Sequence, residues 1–336
     1  MHIPDNYLSP ATCGVMFAVA APIVGVSVKR VQVRLKEDRE LAPMLGIASS
    51  LSFLIMMFNV PVPGGTTAHA VGGTLLAILI GPDAACIAVT VALILQAFLF
   101  GDGGILSLGA NVFNMACIMP FTGYWIYNFF RRHHHTNIGV LVGSYLGINI
   151  AALAAGIELG IQPLVAHSAN GQPLYNPYPL AVTVPAMMVA HLAVAGWIEA
   201  FFTYVVYQFV NRVAPQEIYM NSTMPVDISK QRKVIRYFYY VIIGMLVLTP
   251  LGLLASGTAF GEWSNKELLG RLRSAHISTT LPHGMSHGFN YGAALRDYTV
   301  PGTSLPIGYI LSGVTAILIF VIIGKVLKSV YEKETK

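Results

Sequence analysis

Residues 84–100 read AACIAVTVALILQAFLF, seventeen positions without a charged side chain, and Gly101-Asp-Gly-Gly104 follows at once. As a helix rising 1.5 Å per residue, such a run covers roughly 25 Å, close to the hydrocarbon thickness of a bilayer. Comparable apolar runs lie near 12–28, 42–60, 107–130, 137–160, 178–210, 236–254 and 305–325. A shorter one near 70–81 reads as a re-entrant segment or as a short span packed inside the bundle, where protein rather than lipid surrounds it. The composition agrees: 55% of the 336 residues are hydrophobic, 10% are charged and the mean hydropathy is +0.63, which excludes an ordinary soluble domain. The pattern predicts an all-α polytopic membrane protein in a lipid bilayer.

A formal net charge of +5 fits a nucleic-acid surface as well as it fits basic cytoplasmic loops, so position must decide. With 70–81 counted as a crossing there are about nine spans, and alternate loops fall into two classes. One class holds Lys29, Arg30, Arg34, Lys36 and Arg39, then Arg131 and Arg132, then Arg212, Lys230, Arg232 and Lys233, and finally Lys325, Lys328, Lys333 and Lys336. The other comprises 1–11, 61–69, 101–106 and 161–177, which hold no lysine or arginine, and a long loop near 255–304. That last loop carries Lys266, Arg271, Arg273 and Arg296, but long loops cross membranes largely regardless of charge. The asymmetry predicts a multi-pass protein of the cytoplasmic membrane, N-terminus outside and C-terminus cytoplasmic, with no nucleic-acid partner.

The polar stretch 212–235 reads as a cytoplasmic linker. It divides a seven-span part, 1–211, from a two-span module, 236–336, that surrounds the long outer loop. Cys13, Cys86 and Cys117 each sit alone in apolar sequence without CxxC spacing and read as packing residues. The opening MHIPDNYLSP lacks the basic region and small-residue cleavage site of a signal peptide. Bulky His2 disfavours removal of the initiator methionine, so the mature chain is expected to begin Met-His with a free amine.

Three segments of the outer class share an unusual vocabulary: Met1-His2-Ile3-Pro4-Asp5, Pro61-Val-Pro-Gly-Gly-Thr-Thr-Ala-His69, and Gly101-Asp-Gly-Gly104 leading to Asn111 and Asn114. A histidine at position 2 can close two chelate rings through the terminal amine, its own deprotonated amide and its imidazole. His69 would supply a fourth nitrogen and complete a square plane, the geometry that Ni2+ and Cu2+ prefer. Gly64-Gly65 would let the chain turn tightly before His69, and Pro4 and Pro10 stiffen the terminal segment. A histidine near a loop–helix junction is more often merely a polar residue meeting water, so spacing alone leaves both readings open.

Met-His-Ile-Pro-Asp-x-x-Leu-Ser, Pro-Gly-Gly-Thr-x-x-His-x-Val-Gly-Gly at 63–73 and Gly-Asp-Gly-Gly-x-x-x-Leu-Gly-Ala-Asn-Val-x-Asn-Met at 101–115 resemble the nickel/cobalt substrate-binding components of energy-coupling-factor transporters. Ala190-His191-Leu-x-Val-Ala-Gly-x-x-Glu199-Ala resembles the nickel branch more closely than the cobalt branch. Thr249-Pro-Leu-Gly-Leu-Leu-Ala-x-Gly-Thr-Ala-x-Gly-Glu-Trp263, Asp297-Tyr-x-Val-Pro-Gly302 and Gly308-Tyr-Ile-Leu-Ser312 resemble the small two-span accessory component, here fused. The resemblance implies a seven-helix substrate-binding bundle plus two further helices. It implies Ni2+ as the transported substrate, with Co2+ the alternative, held by Met1, His2 and His69 while Asn111 fixes the terminal segment. It also implies a coupling membrane protein and two ATP-binding cassette ATPases as partners. Asn6 stands where the family often has glycine, and His283-Gly-Met-Ser-His287-Gly-Phe-Asn replaces a tryptophan-histidine neighbourhood.

His191 and Glu199 lie within a span, about 80° apart around a helix, and read chiefly as partners of neighbouring helices. Glu158 reads as solvated or as a helix partner. His283 and His287 could share a metal if helical, but the glycines between and around them argue against a helix. His133-His134-His135 reads as a basic anchor. An intramembrane metal-dependent hydrolase built on His191 and Glu199 finds no HExxH or GxSxG, and a metal sensor without transport would need no accessory module. The chain also lacks a GxxxxGK[ST] run, so ATP hydrolysis is expected on other subunits and this chain is no enzyme.

Overall fold

The computed structural model describes residues 1–63, 65–219, 228–255 and 257–333, with side chains omitted at 228–235 and 332–333. Gly64, the middle of the expected linker at 220–227, the side chains of Lys230, Arg232, Lys233 and Lys333, and all of Lys336 therefore lie outside the described residues. The protein is an all-α polytopic membrane protein. Among the described residues six helices are long and apolar enough to cross a bilayer: Pro10–Glu37, Pro82–Phe100, Thr136–Val165, Leu180–Val213, Arg236–Leu254 and Leu305–Tyr331.

The first helix, α1 (Pro10–Glu37), begins where Ser9 accepts a hydrogen bond from Thr12 N–H through its hydroxyl and Pro10 occupies the first turn. Helix α2 (Leu41–Met56) has only 16 residues and is buried along nearly its whole length. A two-stranded ribbon, β1 (Val60–Val62) with β2 (Thr66–Ala68), then carries the chain to α3 (Gly73–Ile80). Those eight residues rise roughly 12 Å, well short of a hydrocarbon core, and every one is buried. Helix α4 (Pro82–Leu95) ends in a widened π turn, Gln96–Phe100. A second π turn, Val112–Ile118, joins α5 (Leu108–Asn111) to α6 (Met119–Arg132), and a third, His191–Ala195, joins α9 (Leu180–Ala190) to α10 (Gly196–Val213). Between them run α7 (Thr136–Gly160) and the single turn α8 (Gln162–Val165).

The last part of the chain packs against the first. Helix α11 (Ile228–Leu248) leads through a 3-10 turn, Thr249–Leu254, into a long loop holding α12 (Asn265–Ser274) and the single turn α13 (His283–Ser286), and α14 (Leu305–Lys333) closes the chain. Helix α14 crosses α2 at two glycines: a Cβ on Gly46 would stand 2.6 Å from the Phe320 carbonyl oxygen, and one on Gly324 would stand 3.1 Å from that of Ala42. With little hydrophobic drive between helices in lipid, such small-residue crossings supply close van der Waals packing. Phe53 fills the seam beside them, its ring 5.8 Å from Phe320 and 5.2 Å from Phe100. Cys86 and Cys117 do not sit alone as their sequence surroundings suggested: adjacent helices bring their sulfurs to 3.9 Å.

Candidate metal centre

The first nine residues form no helix and are nonetheless held at almost every position. Met1, His2 and Ile3 are buried. Asn111 clamps Ile3 from both sides of its peptide, its Oδ1 accepting from Ile3 N–H at 2.8 Å and its Nδ2 donating to Ile3 C=O at 3.0 Å. Gly104 N–H and the Ser107 hydroxyl donate to the same carbonyl. Asp5 accepts from Ile105 N–H at 3.1 Å and Leu106 N–H at 2.7 Å, while Tyr7 donates through its hydroxyl to Trp263 C=O at 2.8 Å. Asn6 adopts a left-handed φ of 69°, a region where asparagine is one of the better-tolerated side chains. Its amide accepts from Phe289 N–H at 2.9 Å and donates to Phe289 C=O at 2.7 Å. The departure from glycine noted in the sequence thus preserves the turn and adds a clamp to the accessory loop.

This framework sets His2 against His69. Nδ1 of His2 lies 3.2 Å from Nε2 of His69, and the ring centroids are 5.0 Å apart. Nδ1 of His69 is 2.9 Å from Ala70 C=O, which can only accept, so that nitrogen carries the proton and Nε2 presents a lone pair. Nε2 of His2 lies 3.2 Å from Gln96 Oε1. The orientation of that amide follows from its other end, where Nε2 of Gln96 donates to the Tyr298 hydroxyl at 3.2 Å and approaches Asp102 Oδ2 at 3.5 Å. With Gln96 accepting from His2 Nε2–H, Nδ1 of a neutral His2 ring also presents a lone pair. Two lone pairs then face each other at 3.2 Å, an arrangement that a cation relieves. The spacing is near the roughly 2.9 Å between two nitrogens bound at right angles about 2.0 Å from a metal.

Acidic groups frame the nitrogens. The terminal ammonium of Met1 is 3.3 Å from Glu262 Oε1, and Asp102 Oδ1 is 3.6 Å from Nδ1 of His2. One ligand atom from each of His2, His69 and Glu262 lies within 4.8 Å of the others. Burial, then the Met1 ammonium and His2, push the pKa of His69 well below the ordinary imidazole value, so its ring stays neutral and able to ligate in mild acid. Tyr298, buried beside Asp102, is held protonated by burial and by that carboxylate, and its hydroxyl donates to Asp102 Oδ2.

The His69 loop is anchored from behind. Glu199 Oε2 accepts from the N–H groups of Val71 and Gly72 at 2.9 and 3.0 Å, and Ser52 donates to Val71 C=O at 2.8 Å. Gly72 has φ 78°, where a Cβ would meet Ile55 at 2.7 Å. His191, whose Nδ1 lies 2.8 Å from Met187 C=O, has no partner for Nε2, and Glu199 Oε1 likewise has none among the described residues. Glu158 is buried and accepts from Asn114 at 2.7 Å, so it is a helix partner and not a solvated group.

Met1, His2, His69 and Asn111, chosen from sequence, thus lie together. Sequence reasoning missed Gln96, Glu262 and Tyr298 as neighbours of His2 and Met1. Gln96 is the one amide in the run 84–100, and Glu262 and Tyr298 fall in motifs noted for another reason. His133, His134 and His135 lie exposed, away from this cluster. The region of His283 and His287 contradicts the expectation that its glycines argue against a helix: His283–Ser286 is a helical turn, and Gly284 within it and Gly288 just after it serve close packing.

Comparison with known proteins follows the same division. Residues 2–217 match the family described as the cobalt uptake substrate-specific transmembrane region, CbiM, and residues 234–333 match the PDGLE domain. The chain is 58% identical over 323 residues to a probable fused nickel transport protein, LarMN, of Lactiplantibacillus plantarum, covering 96% of each. It is 40% identical over 341 residues to the fused nickel transport protein NikMN of Rhodobacter capsulatus, covering 96% of this chain and 95% of that one. A crystal structure described as a transition metal transporter superposes with a TM-score of 0.61 at 55% identity, over 63% of this chain and 93% of that chain.

Proposed function

This chain belongs to the CbiM family of substrate-specific transmembrane regions for metal uptake, and from that premise we propose that it captures Ni2+ at the outer face of the cytoplasmic membrane through Met1, His2 and His69. It is a transporter component and not an enzyme. The observation that carries the site is the facing pair of imidazole nitrogens, 3.2 Å apart beside the terminal amine. In the proposed complex the terminal amine, the ionised His2 amide and Nδ1 of His2 span three corners of a plane, and Nε2 of His69 takes the fourth. Forming it releases the protons of the ammonium and the amide, so affinity falls with acid. Asn111 holds Ile3, and with it the His2 peptide, in position.

Nickel is favoured by the nitrogen-only plane and by the named relatives, which are nickel transport proteins. Co2+ is the second reading, because Glu262 lies within the same cluster and an oxygen donor suits a six-coordinate ion. The arrangement in the membrane is read as nine crossings with the N-terminus outside, the buried α3 and the extended chain before it forming the short one. Residues 1–211 form the substrate-binding part, 212–235 the linker and 236–336 the accessory part. Loop charge and the burial of α3 support that reading. A coupling membrane protein and two ATPases complete the transporter.

Calorimetry and absorption with purified protein test the site. The native chain should take up Ni2+ with the yellow colour of a square-planar complex. Extension by one residue before Met1, or His69→Ala, should abolish that colour and the tight binding. Equal binding by the extended form would overturn the terminal chelate, and a pink six-coordinate Co2+ complex of higher affinity would favour the second reading.

A further inference from the structure

A second pair of imidazoles lies in the accessory loop. His283 opens a helical turn that His287 caps, and their rings stack at 4.5 Å with planes 17° apart. Both are exposed. The Ser286 hydroxyl faces Pro282 C=O at 3.3 Å and His283 C=O at 3.1 Å, and these can only accept. When it gives its one proton to either carbonyl, its oxygen, 2.9 Å from Nδ1 of His287, accepts from that nitrogen. In that arrangement Nε2 of His287 keeps its lone pair free, the tautomer of a metal-ligating histidine whose other nitrogen is hydrogen-bonded.

The turn that presents these rings is fixed in place. Gly284 N–H donates to Leu174 C=O at 2.8 Å, and a Cβ there would stand 2.5 Å from the Tyr175 ring. Met285 between the histidines is buried, and Asn265 donates to its carbonyl at 3.3 Å. Gly288 lies against the Asn6 side chain, whose amide grips the next residue, Phe289. Ser286 and Gly288, which flank His287, line a cavity of about 390 Å3. Its far wall includes Asp5 and Gly103, and a Cβ on Gly103 would touch His2 at 3.4 Å. Two imidazoles are thus held side by side in solvent, next to a space that reaches the segment carrying His2.

We propose that His283 and His287 form a second binding site for a divalent transition metal on the accessory loop, two imidazole nitrogens with water completing the coordination. This site is weaker than the buried one, since it has two neutral donors, and it stands independently of which residues bind metal at the chain terminus. The test is titration of the full-length protein with Ni2+ alone, in a background of His133→Ala, His134→Ala and His135→Ala that removes the other exposed histidine run. Two equivalents are expected, the weaker one six-coordinate and pale green. His283→Ala with His287→Ala should lose that weaker equivalent and keep the tight one, which also shows the variant is folded; His287→Gln, which retains a partner for Ser286, should weaken it several-fold. Two equivalents persisting in the double variant, or a single equivalent in the background protein that the double variant retains, would overturn the proposal.

Discussion

At the scale of single residues, the centre depends on small polar groups that fix larger ones. Asn111→Ala removes both hydrogen bonds to Ile3 and leaves Ile3 N–H without that acceptor. It should weaken Ni2+ binding by about 10–100-fold with the stoichiometry unchanged, as measured by calorimetry. His69 makes a prediction about protons. Its folded pKa lies below the ordinary 6.5, so below about pH 6.5 the unfolded chain holds a proton that the folded chain refuses. Stability of the metal-free protein should therefore fall as pH drops through that value and level off only beneath the lowered pKa. Melting curves from pH 7.5 to 5 should show this fall, and His69→Asn should show a shallower one. That Met1, His2, His69 and Asn111 could come together was legible in the sequence because the chelating power of a position-2 histidine is a local property, because the outer segments carrying the others share one vocabulary, and because a family resemblance pointed to Asn111. Glu262 and Tyr298 were not, because their importance comes from a packing of distant segments that no local pattern encodes.

At the scale of elements, the loop between β2 and α3 is a turn with left-handed Gly72, held by a carboxylate from another helix. Gly72→Ala forces a Cβ into the left-handed region and against Ile55, at a cost of about 1–3 kcal/mol in a denaturant titration of the membrane-embedded protein. Glu199→Gln replaces an oxygen that accepts from two N–H groups with an amide, and it should lower Ni2+ affinity while leaving expression and helix content intact. The three π turns begin at Gln96, at Val112 directly after Asn111, and at His191, and Gln96, Asn111 and His191 contact the candidate centre or lie behind it. Such turns are frequent at functional positions because one added residue re-aims the side chains around it. The long apolar runs were legible as helices from their length. These π turns were not, since a ladder carrying one extra residue leaves the apolar pattern almost unchanged, and α3 was ambiguous because eight apolar residues fit a buried helix as well as part of a span.

At the scale of the whole molecule, the accessory part both packs on α2 and reaches over the terminal segment. Asn6→Gly keeps the left-handed turn and deletes the two hydrogen bonds to Phe289, so it isolates that coupling from backbone strain. Hydrogen exchange at residues 1–8 should quicken and Ni2+ should dissociate faster, with the melting temperature nearly unchanged. Protection equal to that of the parent protein would show that the other clamps, through Asn111, Ser107, Asp5, Tyr7 and Glu262, suffice to hold the segment. The contact between Met1 and Glu262 has a further meaning when the chain is considered in the order a ribosome makes it. Met1 meets its counter-charge only when a residue 261 positions further along has been made, and Tyr298 arrives later still. The amino-terminal bundle is thus inserted and folding around a centre that lacks its acidic roof, and translation itself sets the moment at which that roof can close.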